Sequence, residues 1–279
     1  MGSLRYAVAG ALFLGGCYGD FRHASDGGDD DDVDAARDDA AIDEDAAGDD
    51  ARAIDAAAVD AAIDAVPIDA GPVQTLRVGL LAAWPLDGNG SDASGNALDL
   101  QVTNLGYATG RFGQGIQMTV NSTGTAKRPI DDASLRLATG DFTVSFWHNV
   151  TDTAPTQFLV TKGFSANGWS VAVTSSRWSA RHNAPPNATS ALGAPTPNVF
   201  WHIIFERRGT FLRIYANGLL AAGQDPTTDI VSPSTEVLEI GSYESLTAGR
   251  VGGIIDDVAI WNRALTAAEL AYLDVNPVP

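Results

Sequence analysis

Oxygen-bearing side chains at two places in the sequence could bind a hard cation. Asp92, Ser94 and Asn96 alternate in a loop flanked by glycine, and Asp256 lies in the strand-like run 254–261. Carboxylate, hydroxyl and amide oxygens are the ligands that Ca²⁺ prefers. We therefore predict a calcium site that uses Asp92, Asn96 and Asp256. The alternative is that the loop forms an Asx-type turn and that Asp256 only accepts backbone N–H bonds.

A second group of side chains could bind a sugar ring. Arg177, Trp178, Arg181 and His182 precede a loop rich in Pro, Ala and Asn. An indole ring can stack on a sugar while planar nitrogen donors bond its hydroxyl groups. We predict that these four residues bind the ligand, with the alternative that Trp178 packs in the core.

Motifs for other chemistry do not occur in the sequence. No two histidines have the spacing of a zinc site, and there is no Gly-rich phosphate loop, nucleophile elbow or Cys–His pairing. We therefore predict no catalytic residue and interpret the chain as a non-catalytic protein, with an enzyme as the alternative.

Short alternating apolar runs predict the strands that must position these groups. In residues 141–150, Phe142, Val144 and Phe146 share one face, and Thr143, Ser145 and Trp147 share the other. Further strands are predicted at residues 168–174, 201–207, 211–216 and 237–243, and Asn217-Gly218 is a type I′ hairpin signal. About ten to fourteen such strands predict an all-β fold, a two-sheet antiparallel jelly-roll sandwich.

The stretch 252–273 predicts a strand followed by one short C-terminal helix. Strict alternation would place Asp256 on the same face as Ile254, Val258 and Ile260, where a carboxylate needs a partner. The pair Thr266/Glu269 has the spacing of a capping box at the start of the helix.

The N-terminal residues predict export and a lipid anchor. Residues 1–16 read as a signal peptide, with Arg5 before an apolar segment too short to cross a bilayer. The sequence Leu14-Gly15-Gly16-Cys17 resembles the lipobox of bacterial lipoproteins, which implies lipidation of Cys17. With Tyr18 after the cysteine, the resemblance implies an outer-membrane or cell-surface location.

Residues 17–76 form a low-complexity segment rich in Asp and Ala. Residues 20–69 contain 18 acidic residues and three Arg, a net charge of −15 out of −18 for the whole chain. Self-repulsion and scarce aromatic residues predict a disordered acidic linker, and its charge argues against nucleic-acid binding. A calcium-responsive stalk is an alternative, but no EF-hand-like spacing is present. The folded domain is predicted at residues 77–279.

Several segments of the predicted domain resemble laminin-G-like, concanavalin A-like jelly rolls. The segments are LLAAWPLDGNGSDASG (residues 80–95), GRFG (110–113) with Gly115-Ile116, which together resemble the next strand of that family, FTVSFW (142–147) and WHIIFERRGTFLRIYANG (201–218). The closing stretch, IIDDVAIWNRALTAAEL, is also similar to pentraxins. The resemblance spans residues 78–273 and implies the two-sheet fold.

The resemblance also implies a function: recognition of glycans or surface proteins, often with bound Ca²⁺. Some proteins of this fold are glycoside hydrolases with a Glu-x-Asp-x-x-Glu strand, and the nearest match here, Glu236-Val237-Leu238-Glu239, lacks that pattern. We interpret Glu236 and Glu239 as solvent-facing acids. The prediction is a recognition module on a lipid-anchored stalk at a bacterial surface, which binds carbohydrate or protein. The alternatives are a structural envelope protein and a divergent glycoside hydrolase.

Overall fold

The protein is a β-sandwich whose computed structural model describes residues 71–279, apart from residues 154, 165–166, 184–186, 190–194 and 245–248. Among these residues, 15 strands form two antiparallel sheets. The strands are β1 Leu80–Trp84, β2 Gln101–Thr103, β3 Gly106–Thr109, β4 Gln114–Met118, β5 Thr125–Lys127, β6 Phe142–Val150, β7 Gln157–Lys162, β8 Trp169–Thr174, β9 Arg177–His182, β10 Asn187–Thr189, β11 Trp201–Arg208, β12 Phe211–Ala216, β13 Leu219–Pro226, β14 Leu238–Ile240 and β15 Gly253–Trp261.

The larger sheet has the order β13-β12-β11-β6-β15-β4-β3, and β1 pairs with the second half of β15. The smaller sheet has the order β10-β9-β8-β7-β14-β5-β2. The inner faces of both sheets enclose one apolar core that includes Phe142, Val144 and Phe146. The predicted all-β, two-sheet fold is therefore confirmed.

Alternation and turn residues explain the central hairpins. Trp147 lies with Thr143 and Ser145 on the outer face of β6, as its alternation predicts. Asn217 and Gly218 join β12 to β13 with φ of 47° and 74°, the positive values that a type I′ turn requires. Residues 110–113, which the resemblance assigned to a strand, form instead the turn between β3 and β4.

A β-bulge interrupts the predicted alternation of β15. Asp256 pairs with Trp147 and Ala259 pairs with Ser145, so three steps on β15 match two on β6. Asp257 takes the extra position with a φ of 54°. The bulge places Asp256 on the outer face, while Val258 and Ile260 face the core. Our prediction that Asp256 shares their face was wrong.

Two short helices lie against the outer face of the larger sheet. Helix α2, Ala267–Leu273, begins with the predicted capping box, in which Thr266 and Glu269 bond each other's backbone N–H groups. Helix α1, Pro72–Leu76, lies within the segment that we predicted as linker, and its Leu76 is buried in a second apolar cluster with α2 and β15. Along the described residues, no helix has the length and apolar character needed to cross a membrane.

Candidate functional site

The outer face of the larger sheet carries two cavities that polar side chains of the described residues line. One cavity of about 470 Å³ is lined by Gly252, Gly253 and Ile254, by Gln117, Asn149 and Asn198, and by residues 118–120, 151–152 and 155. We call it the amide groove, after its three carboxamide side chains. Most of its lining is apolar, and the three carboxamides can donate and accept hydrogen bonds.

A second cavity lies beside the amide groove on the same face. It measures about 260 Å³ and is lined by Arg111, Trp147, Phe200, Asn217 and Asp274. We call it the arginine pocket. Trp147 of this pocket and Asn149 of the amide groove are two residues apart on β6, roughly 7 Å along the strand. This spacing is short enough for one elongated ligand to span the two positions.

The Trp147 indole forms the inner wall of the arginine pocket. His202 stacks on it with 4.9 Å between ring centroids, and Phe112 meets it edge-on at 5.9 Å. The guanidinium carbon of Arg111 lies 4.7 Å from the centroid of the Trp147 ring, a cation–π contact. Trp147 is 5% exposed, so a ligand in this pocket meets mainly the exposed Arg111 and Asn217 and the half-buried Phe200.

Two carboxylates fix the turn that presents Arg111. The Oδ2 atom of Asp256 accepts hydrogen bonds from the backbone N–H groups of Arg111 (2.7 Å) and Phe112 (3.0 Å), and Asp87 accepts from that of Gln114 (2.6 Å). Gly110 allows this approach, because a Cβ atom there would lie 2.4 Å from Asp256 Oδ2. The turn is thereby held rigidly against the sheet.

The two adjacent carboxyl groups of the bulge have unusual acidities. Burial raises the pKa of Asp256 to about 7, against the opposing effect of the two backbone donors, and the nearby Asp87 charge raises it further. Burial likewise raises the pKa of Asp257 to about 7, although its Oδ2 accepts a bond from the Val278 N–H. Both groups therefore titrate near neutral pH.

Ser145, His202 and Asp274 form a hydrogen-bonded chain beneath the arginine pocket. His202 Nδ1 lies 2.6 Å from Asp274 Oδ1, and His202 Nε2 lies 2.8 Å from Ser145 Oγ. Burial lowers the pKa of His202, so the neutral ring donates to Asp274 and accepts from the Ser145 hydroxyl. The distances match those of a nucleophilic triad, but Ser145 is 1% exposed and lines neither cavity. The chain of bonds anchors the end of α2 instead of offering a nucleophile to substrate.

The predicted calcium ligands Asp92 and Asn96 are engaged by backbone groups. Asp92 accepts from the N–H groups of Ala83, Ser94 and Leu98, each at 2.9 Å, and Asn96 Nδ2 donates to the carbonyls of residues 80 and 81. Burial alone would raise the pKa of Asp92, but these donors together outweigh it and lower the pKa.

These contacts fit the Asx-turn alternative, because backbone N–H groups surround the Asp92 carboxylate at the positions that a cation would need. Asp256 is held by different donors, those of residues 111 and 112. Within the described part of the chain, no three His, Cys, Asp or Glu side chains come close enough to hold a metal. The donor set therefore does not fit Ca²⁺ as arranged here, and the calcium site stays a prediction.

The four residues predicted to bind a ligand lie on opposite faces of β9. Trp178 and His182 are fully buried: the Trp178 indole donates to His148 Nε2 (2.8 Å), and His182 contacts the Thr227 hydroxyl and the Leu137 carbonyl. These two rings pack in the core, so they are not available to stack on a ligand.

The two arginines of this set lie on the outer face of the smaller sheet. Arg177 is exposed, and the guanidinium carbon of Arg181 lies 5.0 Å from the centroid of the Phe164 ring. The structure thus separates the four residues that we had grouped, and none of them lines the amide groove or the arginine pocket.

Two groups of sequence predictions remain, those for the acids Glu236 and Glu239 and those for the N-terminal segment. Glu236 is exposed, but Glu239 is buried and accepts a bond from the Ser242 hydroxyl, which corrects our interpretation of it as solvent-facing. Cys17, the signal peptide and nearly all of the predicted linker lie outside the described residues.

Sequence reasoning did not identify the residues that line the two cavities. The outer-face alternation of β6, which predicted that Trp147 lies with polar residues, was the available signal for Trp147 and Asn149. Arg111 and Asn198 lie in connecting segments, for which periodicity gives no orientation.

Solved structures with the same fold include a binding domain, a sialidase and one domain of an arabinanase. The binding domain of Paraclostridial Mosquitocidal Protein 1 matches with a TM-score of 0.60 and 18% identity over 71% of this chain and 52% of that one. Trypanosoma rangeli sialidase matches with a TM-score of 0.55 and 18% identity over 71% and 32%. Domain 4 of AbnA, a GH43 extracellular arabinanase from Geobacillus stearothermophilus solved with arabinotriose, matches with 0.51 and 16% over 70% and 98%.

At these identities the matches establish the fold alone, and the chain spans only about half of the first protein and a third of the second. Comparison with curated protein sequences gives no match. The sequence model of the concanavalin A-like lectin/glucanases superfamily matches residues 118–271, which is more than half of the chain and runs from the end of β4 into α2. The chain therefore belongs to the concanavalin A-like lectin/glucanases superfamily.

Proposed function

We propose that the protein is a non-catalytic carbohydrate-binding module whose ligand occupies the amide groove. The observation that carries this proposal is the set of three carboxamides, Gln117, Asn149 and Asn198, in one cavity whose lining is mostly apolar. Carboxamides both donate to and accept from hydroxyl groups, and an apolar surface suits the less polar face of a sugar ring. Sugar rings present this combination of surfaces.

The groove is built on regular elements, which favours a preformed site. Gln117 and Ile254 lie opposite each other on β4 and β15, and Asn149 pairs with Ile254 from β6. Gly253 adopts a φ of 146°, and a Cβ atom there would lie 1.9 Å from the Asn149 carbonyl oxygen, so this position of the lining requires glycine. A preformed groove loses little conformational entropy when it binds an oligosaccharide.

The fold neighbours support the choice of the first probe. Domain 4 of AbnA was solved with arabinotriose, and this chain covers 98% of that domain. Arabinotriose is therefore the first ligand to titrate, followed by a glycan array probed with the full chain in millimolar Ca²⁺ and in EGTA. The two array conditions also test the calcium prediction, because a metal-dependent lectin gives signal only with Ca²⁺.

The decisive experiment compares two glutamine variants by titration calorimetry with the best array ligand. We expect Gln117→Ala, in the amide groove, to weaken binding about tenfold, the usual effect of losing one or two hydrogen bonds to a ligand. Gln101→Ala is the matched control, because Gln101 is an exposed glutamine on β2 of the smaller sheet. An empty array in both conditions, or equal effects of the two variants, would refute the proposal and make a surface protein the partner to test.

We also propose that Cys17 is lipidated and that an acidic linker holds the module at an outer-membrane or cell surface. The support is the lipobox-like sequence and the charge of residues 20–69. Metabolic labelling with an alkyne fatty acid should label the wild-type protein and not the Cys17→Ser variant. Equal labelling of both proteins would overturn this part of the proposal.

A further inference from the structure

We infer that the arginine pocket binds the carboxylate of an acidic sugar residue, and that Arg111 is the residue that selects for it. This inference rests on the proposed function, because it concerns the residue of the glycan next to the one in the amide groove. It assigns a ligand class, uronic-acid-containing oligosaccharides, to the site.

The first support is the state of the Arg111 side chain. Arg111 is exposed, and its contacts in the described residues are the stacking ones with Trp147 and Phe112, without an ion pair or an accepting oxygen for its guanidinium donors. A planar guanidinium fixed by stacking keeps its N–H groups directed outward, where a carboxylate can accept two of them.

The second support is the rigidity of the turn that carries Arg111. The buried Asp256 carboxylate holds the backbone N–H groups of residues 111 and 112, and Asp87 holds that of residue 114. Gly113 has a φ of 57°, and a Cβ atom there would collide with Asp87. The position of the guanidinium is therefore set before a ligand arrives, which lowers the cost of binding.

The third support is the opposite wall of the arginine pocket. Asn217 Oδ1 accepts a hydrogen bond from the backbone N–H of His202 (2.8 Å), so the Asn217 Nδ2 group is left as a donor. Asp274 Oδ1 faces the His202 ring at 2.6 Å and is not within ion-pair distance of Arg111. The pocket thus offers the Arg111 guanidinium and the Asn217 Nδ2 group to an anion. Its one carboxylate, that of Asp274, already accepts a hydrogen bond from the His202 ring.

The test compares trigalacturonate with its methyl ester, which has nearly the same shape and no charge. We expect the wild-type full chain to bind the acid at least about tenfold more tightly than the ester in titration calorimetry, the strength of charge-assisted hydrogen bonds. Raising NaCl from about 0.05 to 0.5 M should weaken binding of the acid and leave binding of the ester nearly unchanged.

Variants at Arg111 assign the preference to this residue. Arg111→Gln should remove the preference and keep the affinity for the ester, and Arg111→Lys should keep part of the preference, because lysine retains the charge but not the planar fork. Arg177→Gln, on the other sheet, is the matched control and should behave as wild type. Circular dichroism of each variant shows whether it is folded, and the wild-type comparison of acid with ester needs no variant.

Two results separate this inference from the proposed function. Equal binding of acid and ester, with both weakened by Gln117→Ala, would overturn the role of the arginine pocket and leave the glycan-binding function supported. Absence of binding to either trisaccharide, to arabinotriose and to the array would overturn both.

Discussion

Replacing Asp256 with Asn should change how the stability of the domain depends on pH. The folded-state pKa of Asp256 is raised from 3.8 to about 7, so the folded protein holds a proton that the unfolded chain has released. A raised pKa contributes stability that is complete below about pH 4 and is lost as the pH rises through 7. For these two values, linkage gives a loss of roughly 2–3 kcal/mol between pH 5 and pH 8.

Asparagine reproduces the neutral carboxyl, because its Oδ1 can still accept from residues 111 and 112. The difference in unfolding free energy between Asp256→Asn and wild type should therefore increase in favour of the variant by roughly 2–3 kcal/mol from pH 5 to pH 8. A further contribution of the same sign arises at Asp257, whose pKa is raised by burial and also by the Asp256 charge that the variant removes.

The assay is urea unfolding followed by tryptophan fluorescence at four pH values. His148, His182 and His202 have pKa values lowered by burial, to about 3 for His148, and they oppose the trend below pH 6.5. Their contributions cancel in the difference between variant and wild type. Asp141→Asn is the matched control, because exposed Asp141 also accepts a backbone N–H, that of Gly209. A pH-independent difference for Asp256→Asn, or the same pH dependence in the control, would refute the reasoning.

Three further substitutions, the first with a matched control substitution, test the packing and the helix cap of the domain by urea unfolding. Gly115→Ala should destabilise the domain by about 1–3 kcal/mol, because its Cβ would lie 2.7 Å from Ile254 Cγ2, whereas Gly106→Ala has open space around it and should be nearly neutral. Thr266→Ala should cost about 1 kcal/mol by removing the capping box of α2, and a stability equal to wild type would contradict that role. Trp178→Phe should cost about 1–3 kcal/mol by leaving His148 Nε2 without its donor, yet leave arabinotriose affinity unchanged; weaker binding would restore Trp178 as a ligand residue.

Local sequence patterns were sufficient to predict the sandwich. The alternation at residues 142–147, the Asn217-Gly218 turn and the Thr266/Glu269 capping box each depend on residues close together in the chain, and each is confirmed. Helix α1 was not predicted, since five residues are too short for a helical period to be visible.

The site could not be predicted in the same way, because it depends on pairing between distant segments. Asn149, Gln117 and Ile254 meet only after β6, β15 and β4 have paired. The bulge at Asp257 is set by a positive φ at a non-glycine residue, for which the alternating pattern gave no warning. In contrast, the separation of Trp178 from Arg177 and Arg181 followed from the two-residue period of a strand, so grouping them in one site was inconsistent with that period.

The β-bulge at Asp257 explains why a carboxylate whose burial is unfavourable lies next to the proposed site. Without the extra residue at 257, Asp256 would share one face of β15 with Val258 and Ile260, so the carboxylate and these core residues could not lie on opposite faces. With it, the side chain stands on the outer face opposite Trp147, fully buried and with Oδ1 lacking a partner in the described structure. Stability alone would favour an apolar residue at such a position. The Asp256 carboxylate instead holds the turn that places Arg111 against Trp147. Asp256, whose pKa is raised, and Arg111, which we infer selects the ligand, therefore belong to one hydrogen-bonded arrangement.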